Sequence, residues 1–168
     1  MLARSGSLPV EAGWSYELKW DGFRAIVRSG RGFRVRSRRG WNMTPLLREL
    51  EALRVDAVFD GQLVALGDDG WPYFPDVCDR LLSGDTRIRL TYVVFDVLEL
   101  DGRDTTRLPY TERRRLLDSL DLNGPHWQTS PAFDDGEALF VVAREKGSRA
   151  SSRSASGAST GPAGEAHG

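Results

Sequence analysis

The sequence predicts an α+β fold in which antiparallel sheets are flanked by helices. Short runs of alternating apolar and polar residues follow one another across glycine turns in the N-terminal quarter of the chain, which is typical of β-hairpins. A continuous apolar run at residues 89–100 indicates a central buried strand, and amphipathic segments between the strands indicate helices. The chain has 168 residues, of which 40% are hydrophobic, so it can bury the core of one domain.

Three strands and one helix are predicted first, at residues 14–19, 23–29, 33–38 and 45–53. Thr44 followed by Pro45 is typical of a helix start, because threonine caps the first turn and proline fits the first helical position. Side chains alternate between the two faces of a strand. The third strand therefore has Phe33, Val35 and Ser37 on one face and Arg34, Arg36 and Arg38 on the other.

Further strands are predicted at residues 57–66, 89–100 and 126–130, and further helices at residues 74–82, 110–120 and 134–147. The last stretch, residues 148–168, is mostly serine, alanine and glycine and has no large apolar side chain. Such a segment cannot bury enough surface to offset the entropy lost on ordering. We therefore expect one domain over residues 1–147 and a disordered tail over residues 148–168.

The charge of the chain is uneven although its net value is only −1. No acidic residue lies between Asp21 and Glu49, whereas this interval holds eight arginines. Such a basic patch predicts a polyanion bound at one surface, and a solvated arginine-rich face is the alternative. The single cysteine, Cys78, excludes an internal disulfide and a cysteine-based zinc site. No apolar run is long enough for a membrane span and no signal peptide is recognisable, so we expect a cytoplasmic protein without a membrane partner.

Lys19 stands out because lysine is rare in this chain, where the only other lysine is Lys146. Arginine stays protonated in proteins, whereas lysine can lose its proton in an apolar or cationic environment and then act as a nucleophile. Glu17 and Lys19 share one face of the first predicted strand, and Arg24 and Arg28 share a face of the next. This pattern predicts an amine nucleophile among phosphate-binding cations. The alternative is a surface lysine in a hairpin.

The stretch ELKWDGFR, residues 17–24, resembles the nucleotidyltransferase signature of ATP-dependent DNA ligases, in which K-x-D-G follows a glutamate and precedes an arginine. Three further stretches resemble later elements of that family in the same order: SRRG at 37–40, FDGQLVAL at 59–66 and YVVFDVLELDG at 92–102. The resemblance extends from residue 1 to residue 147. It is strongest to the small bacterial ligases that begin with the adenylation domain.

This resemblance implies an ATP-grasp-like nucleotidyltransferase fold, incomplete at its C-terminus, that uses ATP and Mg²⁺ on nicked double-stranded DNA. Lys19 would attack the α-phosphorus of ATP, and the resulting AMP would pass to a 5′-phosphate before the nick is sealed. Glu17 would accept a hydrogen bond from the adenine amino group, and Phe95 would stack on the purine. The implied ATP-binding residues are Glu17, Leu18, Arg24, Arg38, Gln62 and Phe95, while Asp21, Gly22, Asp60 and Gly61 support the motifs. Metal ligands are not implied. A monomer that works with DNA-repair proteins is expected.

Two departures from the family pattern predict impaired ligation. Position 62 is glutamine where the family has a glutamate that holds the ribose hydroxyls, and glutamine lacks the charge. After Gly147 the family's metal-associated glutamate, its late lysines and the OB-fold do not follow. Without the strands that carry those motifs, we expect the strand near residues 92–98 to lack a neighbour.

Three other functions remain open at this point. An RNA ligase or a messenger-capping nucleotidyltransferase shares the K-x-D-G chemistry and differs in nucleotide and acceptor. A non-catalytic nucleic-acid-binding remnant would use the arginine patch without Lys19. The chain is also consistent with a pseudogene product that has no function.

Overall fold

The computed structural model describes residues 4–5, 14–67, 70–145, 149–154 and 164–165. The strands within these residues are β1 (Arg4–Ser5), β2 (Trp14–Lys19), β3 (Phe23–Ser29), β4 (Arg34–Ser37), β5 (Ala57–Val64), β6 (Thr91–Leu100), β7 (Arg103–Asp104), β8 (Trp127–Thr129), β9 (Ala132–Phe133), β10 (Arg149–Ser154) and β11 (Gly164–Glu165). The α-helices are α1 (Phe74–Ser83), α2 (Tyr110–Ser119) and α3 (Gly136–Glu145). The predicted mixture of helices and antiparallel sheets is confirmed.

The chain divides into two compact units. The first contains Met1–Trp20, Arg107–Glu112 and Ser130–Gly168, and the second contains Asp21–Thr106 and Arg113–Thr129. Each unit is built around its own sheet.

The second unit holds the larger sheet, with strand order β4-β3-β5-β6-β7 and antiparallel pairing along that order. Strand β8 pairs in parallel with β6. One face of this sheet is apolar and buried, with Val27, Phe59 and Tyr92 among its fully covered side chains. Alternation along β3 and β5 then places Arg24 and Gln62, which are register partners, on the opposite face.

The first unit has the strand order β1-β11-β10-β2-β9. Tyr16 of β2 packs with Leu139 and Ala143 of α3, and Leu18 lies against the same cluster. Gly136 at the start of α3 allows this packing, because a Cβ atom there would lie 2.5 Å from the Tyr16 ring.

Strands β2 and β3 have the predicted bounds, and β4 has the predicted faces, since Val35 and Ser37 are buried whereas Arg34 and Arg36 are exposed. The predicted helix at residues 45–53 is wrong. Two 3₁₀ helices occupy this region, Thr44–Leu46 and Arg48–Ala52.

The spacing of the buried residues explains this difference. Leu47, Leu50 and Leu53 are buried three residues apart, which matches the three-residue turn of a 3₁₀ helix. Thr44 does not cap a helix, because its hydroxyl accepts a hydrogen bond from the backbone N–H of Val35 at 2.9 Å.

The structure also differs from the prediction at the C-terminal segment and at β6. Arg149–Ser154, within the expected disordered tail, forms β10 and pairs antiparallel with β2. Strand pairing uses backbone groups, so it does not need apolar side chains. Apart from β10 and β11, the tail lies outside the described residues, and the boundary at residue 147 stays a prediction. Strand β6 does not lack a neighbour, since β5 pairs on one side and β7 and β8 pair on the other.

Candidate active site

Lys19 is the last residue of β2 and is half-buried. Its register partner across the antiparallel pair with β10 is Arg149. The backbone leaves the strand here, and Asp21, the aspartate of the K-x-D-G signature, is exposed. The lysine therefore occupies a strand end, where its position is set by backbone pairing.

Gly22 is required for close packing rather than for an unusual backbone angle. A Cβ atom at this position would lie 2.2 Å from the backbone oxygen of Leu63, whereas the φ of Gly22 is not in the left-handed region. The backbone of β5 thus approaches Gly22 so closely that only glycine fits. This close approach, rather than a positive φ, explains the glycine at this position of the K-x-D-G signature.

Gln62 lies on β5 and contacts Gly22 directly. Its side-chain Nε2 donates a hydrogen bond to the backbone oxygen of Gly22 at 3.0 Å. A carbonyl oxygen can only accept, so the amide nitrogen must face it. The glutamine that departs from the family pattern is therefore held by a contact that an ionised glutamate cannot make.

Arg24, Asp60 and Phe95 lie together in the second unit. Arg24 donates from Nε to Oδ1 of Asp60 at 2.9 Å and from Nη2 to Oδ2 of the same carboxylate. The hydrogen bonds that Arg24 donates to the Asp60 carboxylate raise the pKa of Arg24 despite its partial desolvation. The guanidinium carbon is also 5.6 Å from the centroid of the Phe95 ring, which is within cation–π range. The predicted phosphate ligand is thus already held by a carboxylate and an aromatic face.

Asp96, next to Phe95, is a site-adjacent residue that sequence reasoning did not select. Arg113 of α2 donates from Nε and Nη2 to the two oxygens of Asp96 at 2.8 and 2.9 Å. Both side chains are nearly covered, with exposed fractions of 9% and 12%. The sequence did contain a signal for this ion pair, namely an aspartate inside a continuous apolar run. A buried carboxylate needs a cation or a hydrogen-bond donor as its partner.

Glu17 and Tyr110 form a buried pair in the first unit. Glu17 has an exposed fraction of only 3%, and the Tyr110 hydroxyl donates to its Oε1 at 2.8 Å. Tyr110 is the first residue of α2. Nothing in the sequence pattern indicated this contact, because the two residues are 93 positions apart.

Within the described residues, the arginine patch divides into arginines that form ion pairs and arginines that form none. Arg24, Arg28, Arg31 and Arg48 form ion pairs with Asp60, Glu99, Asp56 and Glu51 respectively. The others, Arg34, Arg36, Arg38 and Arg39, are exposed and form no ion pair within the described part of the chain. They lie on or just after β4, which is an edge strand. We call these four residues the β4 arginines.

The predicted site residues fall in both units. Glu17, Leu18 and Lys19 belong to the first, and Asp21, Gly22, Arg24, Arg38, Asp60, Gly61, Gln62 and Phe95 belong to the second. Within the second unit, Arg24, Asp60 and Phe95 form one cluster, Gln62 contacts Gly22, and Arg38 lies with the β4 arginines. Gly61 is buried against Tyr92 and Val93. Among the described residues, no group of three or more acidic, histidine or cysteine side chains could hold a metal ion.

The sequence profile of the ATP dependent DNA ligase domain matches residues 7–134, which is most of the chain. The chain belongs to this family of ATP-dependent DNA ligases. The prediction made from the K-x-D-G signature is confirmed at the level of the family.

Two curated relatives of the ligase family show how much of each protein this chain matches. The multifunctional non-homologous end joining protein LigD of Mycolicibacterium smegmatis is 37% identical over 128 residues, which cover 71% of this chain and 16% of that protein. The SPbeta prophage-derived DNA ligase-like protein LigB of Bacillus subtilis is 32% identical over 134 residues, which cover 77% of this chain and 50% of that protein. The chain thus spans half or less of the length of these relatives.

Solved ligase structures confirm the fold. A mycobacterial DNA ligase D complexed with ATP and MES is similar with a TM-score of 0.81 and 28% identity, covering 98% of this chain and 58% of that one. The ligase domain of Mycobacterium tuberculosis LigD gives a TM-score of 0.80 at 29% identity, covering 94% of this chain and 53% of that one. The described part of the present ligase-family chain contains no helix that is long and apolar enough to cross a membrane.

Proposed function

We propose that this chain binds ATP at a ligase-type site in which Lys19 is the nucleophile that forms lysyl-AMP for joining nicked double-stranded DNA, and that ligation is impaired by the departures at position 62 and after Gly147. Membership of the ligase family carries this proposal, together with the position of the K-x-D-G lysine at the end of β2. The solved relative that is complexed with ATP supports ATP as the nucleotide.

The chemistry divides one condensation into three exchanges at phosphorus. The deprotonated Nζ of Lys19 attacks the α-phosphorus, a P–N bond forms, and pyrophosphate leaves as the bond to the bridging oxygen breaks. An oxygen of the DNA 5′-phosphate then attacks the same phosphorus and the lysine amine is released. Finally the 3′-hydroxyl attacks the 5′-phosphorus, loses its proton and displaces AMP.

Phe95 and Glu17 are proposed to bind the adenine. Phe95 is partly exposed on β6, and stacking of a base on an aromatic ring contributes about 1–3 kcal/mol. Glu17 offers a carboxylate, which only accepts hydrogen bonds and therefore suits an amino group. Arg24 is proposed to contact the ribose or phosphates, because a guanidinium matches the geometry of phosphate oxygens.

Mg²⁺ is proposed to enter with the triphosphate. Magnesium is commonly held by one or two carboxylates together with substrate phosphates, so a protein cage of several acidic residues is not needed. When bound, it would offset the charge of the phosphates during attack by Lys19.

The β4 arginines are proposed to contact the phosphate backbone of DNA. Four exposed cations along one sheet edge and the turn after it form the kind of surface that neutralises a polyanion. Exposed Trp41 lies two residues after Arg39 in the chain.

The test is incubation of the purified chain with ATP and Mg²⁺, followed by measurement of its intact mass and of ATP binding. The departures at position 62 and after Gly147 predict ATP binding without an adduct. A gain of one AMP by the wild type that Lys19→Ala lacks would show that Lys19 still reacts and would overturn the expected impairment. Absence of ATP binding would overturn the proposal as a whole.

A second candidate is nucleic-acid binding without catalysis, which the exposed β4 arginines favour. In that case Lys19→Ala would bind nicked DNA as tightly as the wild type, and neither protein would gain AMP. The expected cytoplasmic location, monomeric state and DNA-repair partners stay predictions. Light scattering of the purified chain tests the monomer.

A further inference from the structure

Trp41 closes the turn that carries Arg38 and Arg39. Its backbone N–H donates a hydrogen bond to Oγ of Ser37 at 3.0 Å, and its backbone oxygen accepts one from the N–H of Ser37 at 2.9 Å. Gly40 has a φ of 85°, in the left-handed region that favours glycine, which lets the chain reverse at this point. The backbone of Trp41 is therefore fixed, with two exposed cations beside it in the same turn.

The indole ring of Trp41 is anchored against the core and is still partly open to solvent. Its centroid lies 6.0 Å from that of the Phe23 ring, and the two ring planes are at 83° to one another. Phe23 in turn packs against the buried core of the larger sheet. Nevertheless, 44% of Trp41 is exposed. An aromatic side chain that already has a fixed position loses little conformational entropy when it binds a flat ligand.

The charge around the indole indicates the class of ligand. No acidic residue occurs between Asp21 and Glu49, and the β4 arginines precede Trp41 in this interval. Asn42 forms an isolated antiparallel bridge with Arg36, so the chain after the turn runs back alongside β4. Proteins bind single-stranded nucleic acid by combining cations that contact the phosphates with aromatic rings on which bases stack. A fully paired duplex offers the phosphates but keeps its bases stacked on one another.

We propose that Trp41 is a stacking platform for an unpaired base, so that this chain prefers DNA breaks with unpaired nucleotides to fully paired nicks. The inference rests on the proposed function, in which the β4 arginines contact the DNA backbone. It extends that function by assigning the indole to a base and by naming the class of break. Since every base has an aromatic face, the platform should accept any base with little dependence on sequence.

Replacement of Trp41 should weaken DNA binding in a way that differs from the loss of an arginine. Trp41→Ala removes one base stack, so we expect affinity for DNA with an unpaired stretch to fall roughly 5- to 150-fold. Affinity for the fully paired nick should change little. Stacking neutralises no phosphate, so the slope of log K against log salt should stay as in the wild type. Trp41→Phe keeps an aromatic face and should retain much of the preference.

The experiment measures binding of the full chain to two labelled nicked duplexes by fluorescence anisotropy over a range of salt concentrations. Both duplexes have the same number of phosphates, but in one of them a short run of mismatched thymines leaves the bases beside the nick unpaired. Tyr73→Ala is the matched control, because it removes another exposed aromatic side chain of the same unit, which precedes α1 instead of following β4. If Trp41→Ala does not fold, Trp41→Leu provides the measurement, since it keeps apolar volume against Phe23 without a ring.

The outcomes separate this inference from the proposed function. A wild-type preference for the unpaired duplex that is lost in Trp41→Ala or Trp41→Leu and kept in Tyr73→Ala supports it. Equal wild-type affinity for the two duplexes, or a preference that survives in both Trp41 variants, overturns it and leaves the DNA contact of the β4 arginines intact. A lower salt slope in Trp41→Ala also overturns it, because the indole would then act by placing arginines. Binding of neither duplex by a folded wild type overturns the proposed DNA contact together with the inference.

Discussion

Arg24 and Asp60 form a bidentate ion pair on the polar face of the larger sheet, and the guanidinium also covers the ring of Phe95. Arg24 is the arginine of the family signature and Asp60 begins the D-G-Q stretch of β5. The two motifs are 36 residues apart in sequence and meet in adjacent strands. The pair therefore fixes one motif against the other before any nucleotide binds.

Asp60→Asn should destabilise the chain. The amide keeps the shape of the side chain but cannot pair with both guanidinium edges, which leaves part of the Arg24 charge without its partner. We expect the free energy of unfolding to fall by about 1–3 kcal/mol, measured by urea denaturation. Asp118→Asn is the control, because Asp118 is half-exposed and pairs with Arg114 one helical turn away, so its loss should change stability little. Equal effects of the two substitutions would show that the Arg24 pair contributes nothing beyond a surface contact.

Gln62→Glu should lower the stability of the folded protein, although glutamate is the residue that the family has at this position. An ionised carboxylate would place an acceptor against the backbone oxygen of Gly22, where Gln62 now donates. We expect lower stability than the wild type at pH 7. Part of the loss should be recovered near pH 4, where a carboxyl group of ordinary pKa, about 4.3, becomes able to donate.

Gln62→Ala is the matched control for this pH effect. It removes the same hydrogen bond but has no titrating group. The difference in unfolding free energy between the glutamate and alanine variants should therefore change between pH 7 and pH 4. A difference that stays constant would show that residue 62 does not depend on the Gly22 oxygen.

Tyr92 should make the protein sensitive to alkaline pH. Complete burial raises the pKa of this tyrosine well above its ordinary value of 10.0. Below pH 10 both the folded and the unfolded chain keep the proton, so stability does not depend on it. Above pH 10 the unfolded chain releases the proton and the folded chain does not, so stability falls as pH rises.

Unfolding free energies of the wild type and Tyr92→Phe between pH 9 and pH 11 check this prediction. The variant lacks the hydroxyl and should lose less stability over that interval. In an absorbance titration the folded wild type and Tyr92→Phe should release the same number of tyrosine protons, because Tyr92 keeps its proton while the protein is folded. Parallel pH profiles for the two proteins would contradict the assignment.

The β4 arginines should determine the salt dependence of DNA binding. Each phosphate contact that is lost reduces the slope of log K against log salt by about 0.9 for duplex DNA. Arg34→Ala combined with Arg36→Ala should therefore lower the slope by up to about 2 units. Arg31→Ala combined with Arg48→Ala is the control, because both arginines are paired with acidic residues. A larger effect of the control pair would place the DNA on another surface.

Local patterns in the sequence predicted most elements of the fold. Alternation over a few residues was enough for β2, β3 and the two faces of β4, because strand faces follow from neighbours in the chain. The residues after Thr44 were wrongly predicted to form an α-helix. Thr44 was expected to cap that helix, but its hydroxyl accepts a hydrogen bond from the backbone of β4 instead. The strand Arg149–Ser154 could not be predicted from its side chains, because its pairing uses the backbone.

The sequence by itself determined the family and the candidate nucleophile, because the K-x-D-G signature and Lys19 are contiguous and carry their chemistry in residue type. Only the tertiary structure decided which groups surround the motifs. Tyr110 reaches Glu17 across 93 residues and Gln62 reaches Gly22 across 40. Hydrogen bonds of this kind depend on distance in space and on donor direction, and neither is encoded in any local pattern of residues.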